Sequence, residues 1–170
     1  DNVVYALDAT TIELCLEVFW WAKFRKHKAA VKLHTLLDVK CEIPCFIHIT
    51  EGTVHDVNVL DVIEFEAEAF YVMDRGYVDW ARLHKIHLAG AYFVIRAKDN
   101  LLFKRVYSHQ VDKNTGLRCD QTIRLMGYYA AKNYPEHLRR VKYYDKEHDQ
   151  TYVYLTNHFE APALQVSILY

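Results

Sequence analysis

Two short apolar runs each end in an aspartate, and this repeated pattern constrains the fold more than any other feature of the sequence. Residues 3–7 are β-branched and aromatic and lead to Asp8, and residues 69–73 lead in the same way to Asp74. A continuous apolar run of this length is typical of a strand that is buried on both faces, as in a parallel sheet. We therefore predict two buried strands that each deliver a carboxylate to the carboxyl edge of a sheet.

The patterns around these runs predict an α/β fold in which strands and helices follow one another along the chain. The predicted elements are a strand at residues 3–7, a hairpin at 30–39 and 43–50, a helix at 54–63, a strand at 69–73, a helix between Asp79 and Gly90, and a strand at 91–97. Asp79 suits the position before a helix and Gly90 suits the position after it.

The character of the sequence changes after the fifth predicted strand. Short aromatic and β-branched runs alternate with turn residues as far as Thr156, which predicts an antiparallel β-rich insertion. Pro162 then suits the first turn of a helix that continues to Tyr170. We expect a core at residues 1–98, the insertion at 99–157 and the start of a further core helix at 158–170.

Composition excludes several classes of protein. The chain is 52% hydrophobic with a net charge of -1, so we expect a folded domain whose nucleic-acid binding, if any, comes from a local patch. The apolar runs are far shorter than the roughly 20 residues of a membrane helix. The four cysteines do not form a disulfide pattern, and no secretory leader precedes the first strand, so a reducing cytoplasm is expected. The opening Asp-Asn-Val suggests a piece of a longer protein.

The paired aspartates are the main candidates for chemistry. Hard carboxylate oxygens at neighbouring strand ends suit Mg²⁺ or Mn²⁺, and two such ions can promote phosphodiester displacement. An aspartate at a strand exit is also a common turn former or helix cap, so either Asp8 or Asp74 could be purely structural.

Four motifs in a fixed order resemble bacterial insertion-sequence transposases of the DDE type, in the fourth insertion-sequence family. They are Leu-Asp-Ala-Thr-Thr at residues 7–11, Val-Lys-Leu-His-Thr at 31–35, Val-His-Asp at 54–56, and Tyr-Val-Met-Asp-Arg-Gly-Tyr at 71–77. The last of these, followed by Asp79, is the most specific, and the resemblance covers nearly the whole chain.

The resemblance implies a ribonuclease H-like mixed sheet flanked by helices, with the β-rich insertion after the fifth strand. It implies that Asp8 and Asp74 are the first two catalytic, metal-binding carboxylates of a triad that holds two Mg²⁺ or Mn²⁺ ions. The family's third carboxylate is a glutamate in a helical stretch spaced Tyr, two residues, Arg, three residues, Glu. Tyr170 resembles the Tyr of that stretch, so the glutamate is expected beyond it and this chain alone is expected to show little activity.

The resemblance also implies partners and a setting. Transposon-end and target DNA are the expected partners of the complete protein, which is expected to be a homodimer in the bacterial cytoplasm, associated with the nucleoid and not with a membrane. The family's site-specific end-binding region is expected outside this sequence.

Several further residues are candidates for contacts around the carboxylates. Arg25, Lys26, Lys28 and Lys32 lie in the densest basic stretch and could follow a DNA backbone, or they could be solvated charges beside core aromatics. Arg75 and Tyr77 flank Asp74 and could contact phosphate, position Asp74 or simply form a turn. His55 and Asp56 could support the metal ligands or act as a base, or they could cap a helix.

Two other groups of residues have a structural interpretation that we prefer. Cys41, Cys45 and His48 have a spacing that suggests zinc, but a fourth ligand is not evident and strand alternation would place them on both faces. The tyrosines of the insertion could stack on unpaired bases, but packing is the better interpretation for most of them. They include Tyr128, Tyr129, Tyr143, Tyr144, Tyr152 and Tyr154.

The sequence therefore leaves three hypotheses for function. The first is the catalytic core of a DNA transposase that cleaves phosphodiesters and transfers strands with bound metal. The second is a catalytically inactive remnant that at most binds DNA or self-associates. The third is a metal-dependent nuclease unrelated to transposition, which would cleave DNA without strand transfer.

Overall fold

A computed structural model describes residues 2–15, 17, 21–25 and 28–170 of the chain. Within these residues, ten strands form a single mixed sheet. The strands are β1 (Val4–Leu14), β2 (Lys23–Arg25), β3 (Lys28–Asp38), β4 (Ile43–Glu51), β5 (Phe70–Met73), β6 (Tyr92–Arg96), β7 (Phe103–His109), β8 (Leu117–Leu125), β9 (Leu138–Asp145) and β10 (Gln150–Thr156).

The helices among the described residues are short. They are α1 (Trp80–Leu88), α2 (Tyr128–Asn133) and α3 (Ala163–Ile168), together with 3-10 turns at Asp56–Asp61, Arg75–Tyr77 and Lys113–Thr115. None of them has the length and apolar character that a membrane span requires.

The central strands of the sheet are parallel and its flanks are antiparallel. The spatial order is β2-β3-β1-β5-β6-β10-β9-β8-β7. Strand β4 lies outside this order and pairs with residues 31–38 of β3. Strands β1, β5 and β6 are the parallel ones. The first five predicted strands therefore occupy β1, β3, β4, β5 and β6, in the order expected from the sequence.

The sheet has an apolar cluster on each face. Leu7, Met73 and Ile95 point into the larger cluster, which α1 covers with Leu83 and Ile86. These two residues are three apart and so lie on one side of the helix, and burial of each stabilises the fold by about 1.5–3 kcal/mol. On the other face, a smaller cluster that includes Val72, Val94 and Val141 packs against Val166 of α3.

The boundaries of α1 follow from the two residues that the sequence marks. The Asp79 side chain accepts a hydrogen bond from the Arg82 N–H at 3.0 Å, as expected for a residue that caps a helix. Gly90 has a positive φ of 72°, which glycine adopts without steric strain and which ends the helix.

Two boundaries differ from the prediction. β1 does not end at Asp8 but continues to Leu14, because β3 pairs with it over its whole length while β5 stops at the level of Leu7. The sequence pattern predicts a helix at residues 54–63, but the structure has only the 3-10 turn Asp56–Asp61 there. The β-branched Val57, Val59 and Val62 disfavour a regular helix, and the side chain before the turn makes no capping hydrogen bond.

The insertion joins the core sheet and does not form a sheet of its own. Strand β10 pairs antiparallel with β6, so that Tyr154 lies opposite Arg96 and Thr156 opposite Val94. This pairing satisfies the edge of β6, which would otherwise leave a row of backbone donors and acceptors free. Tyr154 is buried within this common sheet, so the packing interpretation applies to it.

Candidate active site

The sheet register brings Asp8 and Asp74 to neighbouring positions. Leu7 of β1 lies opposite Met73 of β5, and each aspartate is the next residue along the chain. Neighbouring strands are about 4.8 Å apart, so the two residues are close. Leu7 and Met73 point into the larger core, and alternation therefore places both carboxylates on the opposite face, where both residues are exposed.

The carboxylate of Asp74 is held from two sides. Its Oδ1 accepts a hydrogen bond from the Gly76 N–H at 3.0 Å, and its Oδ2 accepts one from the Tyr170 O–H at 3.1 Å. Partial burial raises the pKa of Asp74, but these hydrogen bonds, the Arg75 N–H and the charge of Arg96 outweigh burial and lower it overall. Asp74 is therefore ionised at neutral pH, as a metal ligand must be.

Asp8 differs from Asp74 in having a carboxylate with free oxygens. Among the described residues, no ion pair and no hydrogen bond involves the Asp8 side chain. Its neighbour across the antiparallel pair is Thr35 of β3. Asp8 is thus an exposed carboxylate beside Asp74, whose own carboxylate is held by two hydrogen bonds.

Arg96 is a site residue that the sequence reasoning missed. Ile95 of β6 lies opposite Met73, so Arg96 follows at the same level as Asp74. Its guanidinium carbon lies 5.0 Å from the ring centroid of Tyr152 and 5.7 Å from that of Tyr170. The signal was its register position, because Arg96 follows Ile95 of β6 as Asp74 follows Met73 of β5 and Asp8 follows Leu7 of β1.

Lys32 and Asp56 form an ion pair with each other instead of facing DNA. The Lys32 Nζ lies 2.9 Å from Oδ1 of Asp56 and donates a hydrogen bond to the Val54 carbonyl at 2.6 Å. The Lys32 side chain is only 15% exposed, so the structure does not support a DNA contact for it. His55 beside this pair is exposed and does not cap the turn that follows.

Tyr77 is buried and Arg75 is exposed. Tyr77 is 3% exposed, and the structure does not support a DNA contact for a residue so enclosed. Arg75 has a half-exposed side chain, 3.5 Å from Asp99, and remains available to phosphate. Arg25 and Lys28 lie in β2 and β3, but their side chains, like the whole of Lys26, lie outside the described residues.

A buried ion pair connects the insertion to the segment before α3. Arg139 of β9 donates hydrogen bonds to both oxygens of Asp120 in β8, at 2.9 and 2.7 Å. Its other terminal nitrogen donates to the carbonyl oxygens of His158, Phe159 and Ala161. One side chain of the insertion therefore holds the loop that leads into α3 and on to Tyr170.

A cleft beside the Asp74 turn is lined by exposed aromatic residues. Tyr128 and Tyr129 of α2 are 75% and 77% exposed, and Trp80 of α1 and Leu102 contribute to the same cleft. Lys98 lies at its border, where the ammonium group donates to the Val78 carbonyl at 3.3 Å. The packing interpretation therefore does not apply to these two tyrosines.

The donor set fits a hard divalent ion held by two carboxylates. Asp8 and Asp74 offer only oxygen ligands, which Mg²⁺ and Mn²⁺ prefer. No group of three or more His, Cys, Asp or Glu side chains with metal-binding geometry is present in the described ranges. The structure thus supplies two neighbouring carboxylates for such a site.

Comparisons with known proteins agree on one family. The family model described as "Transposase DDE domain" matches residues 1–170. A Sinorhizobium fredii protein that is named as a transposase is 30% identical over 168 residues, which are 96% of this chain and 46% of that protein. A Geobacillus stearothermophilus protein, named as a transposase for an insertion sequence element, is 26% identical over 166 residues, 96% of this chain and 43% of that protein.

The chain spans less than half the length of these curated relatives. Among solved structures, a piggyBac transposase determined as a synaptic complex with hairpin DNA covers 98% of this chain at a TM-score of 0.54 and 9% identity. At that identity the likeness concerns the fold alone, and it confirms the ribonuclease H-like fold that the sequence predicts.

Proposed function

This chain belongs to the DDE transposase family, and we propose that it is the part of a transposase catalytic core in which Asp8 and Asp74 hold divalent metal for DNA cleavage and strand transfer. The observation that carries the proposal is the register that sets Leu7 opposite Met73 and hence the two aspartates side by side. The family membership supports the proposed reaction, and the exposure of both carboxylates supports their role as metal ligands.

The metal would supply the charge that activates an attacking oxygen and stabilises a leaving oxygen at a phosphodiester. The residues of this chain would hold and orient it. Asp74 is fixed by Gly76 and Tyr170 and kept ionised, while Asp8 offers free oxygens beside it. Arg96 adds a positive charge at the same edge, where a DNA phosphate would approach.

Tyr170 supports the proposed place of the third carboxylate. Its O–H donates to Asp74, so the chain at this point lies directly beside the metal-binding carboxylates. In the family's spacing, the Arg and the Glu follow this Tyr by three and seven positions. A glutamate carried by the same helical stretch would complete the triad, and without it we expect one weakly held ion and little cleavage.

The DNA partner is proposed from charge and exposure. Arg75 and the basic stretch that contains Arg25, Lys26 and Lys28 would contact the backbone near the carboxylates. The insertion at residues 99–157 carries ten Lys and Arg against seven Asp and Glu, so it is positive while the whole chain is not. The complete protein would act on DNA in the cytoplasm as a homodimer, with residues 1–98 as core, 99–157 as insertion and 158–170 leading to the third ligand.

The test is calorimetric titration of Mn²⁺ into the wild-type chain and into Asp8→Asn and Asp74→Asn, with circular dichroism to confirm that each is folded. Loss of binding in both variants is expected, because each removes one of two ligands. Asp112→Asn is the matched control, since Asp112 caps a turn between β7 and β8, away from the carboxylate pair, and should leave binding unchanged. No binding to a folded wild type would reject the metal site and favour an inactive remnant.

A further inference from the structure

Tyr170 contacts both a proposed metal ligand and a cationic side chain. Its O–H donates a hydrogen bond to Oδ2 of Asp74 at 3.1 Å. The guanidinium carbon of Arg96 lies 5.7 Å from the centroid of the same ring and 5.0 Å from that of Tyr152. A guanidinium within about 6 Å of a ring centroid is attracted by the electrons of the ring. Contacts therefore connect Tyr152 through Arg96 and Tyr170 to Asp74.

The residues of this connection come from different parts of the fold. Arg96 ends β6 of the core, Tyr152 lies in β10 of the insertion, and Tyr170 follows α3. Because Tyr154 pairs with Arg96, strand alternation places Tyr152 and Tyr154 on the face of the sheet that carries Arg96. The ring of Tyr154 lies 5.3 Å from that of Tyr170. Side chains of the core and of the insertion thus meet at the ring of Tyr170.

The orientation of Tyr170 depends on these contacts. The residue is 40% exposed and lies beyond Leu169, the residue that caps the end of α3. Several rotamers are open to a partly exposed ring outside a helix, and holding one of them costs entropy. The contacts with Arg96 and Tyr154 favour the rotamer in which the O–H reaches Asp74. Burial raises the pKa of Tyr170, so the O–H keeps its proton and donates at neutral pH.

We propose that Arg96 is a positioning residue for the metal site: it orders the ring of Tyr170, whose O–H in turn fixes the orientation of the Asp74 carboxylate. Groups that bond to a metal ligand from behind commonly orient it in this way. Because Tyr152 contacts the same guanidinium, the insertion contributes to the geometry of a ligand in the core. This inference rests on the proposed function, since it requires that Asp74 binds metal.

The charge of Arg96 and its contact with Tyr170 act on a bound cation in opposite directions. A guanidinium near the carboxylates repels a divalent ion, so its removal would tighten metal binding if charge alone mattered. Loss of the ring contact would instead free Tyr170 from Asp74 and weaken binding. The direction of the change in Arg96→Gln therefore distinguishes a positioning role from a simple effect of charge.

The experiment is a double-mutant cycle in which calorimetry measures Mn²⁺ affinity for the wild type, Arg96→Gln, Tyr170→Phe and the double variant. We expect the affinity to fall about tenfold or more in Tyr170→Phe, the range seen when groups behind metal ligands are removed. It should fall about three- to tenfold in Arg96→Gln, as expected for the loss of a cation–ring contact. The double variant should lose no more than Tyr170→Phe alone, because Arg96 acts through Tyr170.

The chain contains a matched control for the arginine variant. The guanidinium carbon of Arg118 lies 4.9 Å from the centroid of the Tyr144 ring, and Arg118 lies in β8, three strands away from β6. Arg118→Gln therefore removes the same charge and the same kind of contact, and it should leave Mn²⁺ affinity unchanged. Circular dichroism confirms that each variant is folded. Should Arg96→Gln fail to fold, Tyr152→Leu removes the other ring that the guanidinium contacts and should also weaken binding.

The outcomes separate this proposal from the one on which it rests. Unchanged or tighter binding in Arg96→Gln, or in Tyr152→Leu where that variant is needed, would overturn the role of Arg96 and leave Asp74 as a metal ligand. Losses that multiply in the double variant would show that Arg96 acts independently of Tyr170, which also overturns the proposal. Absence of binding to the folded wild type would overturn both.

Discussion

Replacing Arg139 by methionine should destabilise the chain more than any change to an exposed charge. Met retains much of the apolar stem of Arg but removes two hydrogen bonds to Asp120 and three to the carbonyl oxygens of His158, Phe159 and Ala161. It also leaves the Asp120 carboxylate, only 7% exposed, without a counter-charge.

The size of the effect follows from this burial. Breaking a buried ion pair by removing one partner costs about 3–5 kcal/mol. For a chain of this length each kcal/mol lowers Tm by roughly 2–4 °C, so a fall of roughly 6–20 °C is expected. Arg139→Met combined with Asp120→Leu should lose less, because no buried charge then remains, although the three carbonyl groups still lack their donor.

Urea and thermal unfolding followed by circular dichroism would measure these differences. Arg140→Met is the matched control, because Arg140 is the next residue of β9 but bonds only neutral groups, Gln121 and Cys119, both at 3.1 Å. Its loss should cost about 1 kcal/mol. If the Arg139 and Arg140 variants were equally stable, the ion pair would not hold the loop before α3, and the reasoning would be refuted.

Two further predictions concern the site and the cleft. Tyr170→Phe removes a hydrogen bond that favours ionised Asp74, so the pKa of Asp74 should rise toward its usual value. The lowered pKa stabilises the fold at pH values above the usual Asp pKa of about 3.9, and this contribution is lost as the pH falls further. The stability difference between wild type and variant should therefore shrink below about pH 4. A difference independent of pH would contradict this, and ¹³C NMR titration of the Asp carboxyl groups would measure the pKa directly. Replacing both Tyr128 and Tyr129 by alanine should weaken binding of a fluorescent single-stranded oligonucleotide, measured by anisotropy, by about 1–3 kcal/mol per stacked base. Tyr107→Ala is the control and should leave this binding unchanged, because Tyr107 is an exposed tyrosine on the edge strand β7.

The order of the core elements could be predicted because the relevant signals are local. A buried strand needs only a short apolar run, and a helix boundary needs only a capping side chain such as Asp79 or a glycine such as Gly90. The neighbouring positions of Asp8 and Asp74 followed from the same local signal, although Asp8 lies within β1 and only Asp74 follows the end of its strand.

The parts that could not be predicted depend on pairing between distant residues. Nothing local in residues 150–156 indicates that they pair with β6, and that pairing decides that the insertion extends the core sheet. Arg139 and Arg140 are adjacent and chemically identical, and only the fold determines that one is buried against Asp120 and the other is not. The O–H of Tyr77 is buried without a hydrogen-bond partner among the described residues, which is likewise a property of packing, since the sequence shows only a tyrosine next to a turn.

The continuous sheet also limits how this fold can be shortened. An insertion attached by loops could be deleted without damage to the domain that carries it, but here β10 pairs with Val94, Ile95 and Arg96 of β6. Removal of residues 99–157 would convert β6 from an interior strand into an open edge with Val94 uncovered, a surface prone to pair with other chains. A minimal catalytic core made by trimming this chain is therefore expected to aggregate, and relatives that vary in the insertion should vary in its turns and outer strands while retaining a strand beside β6.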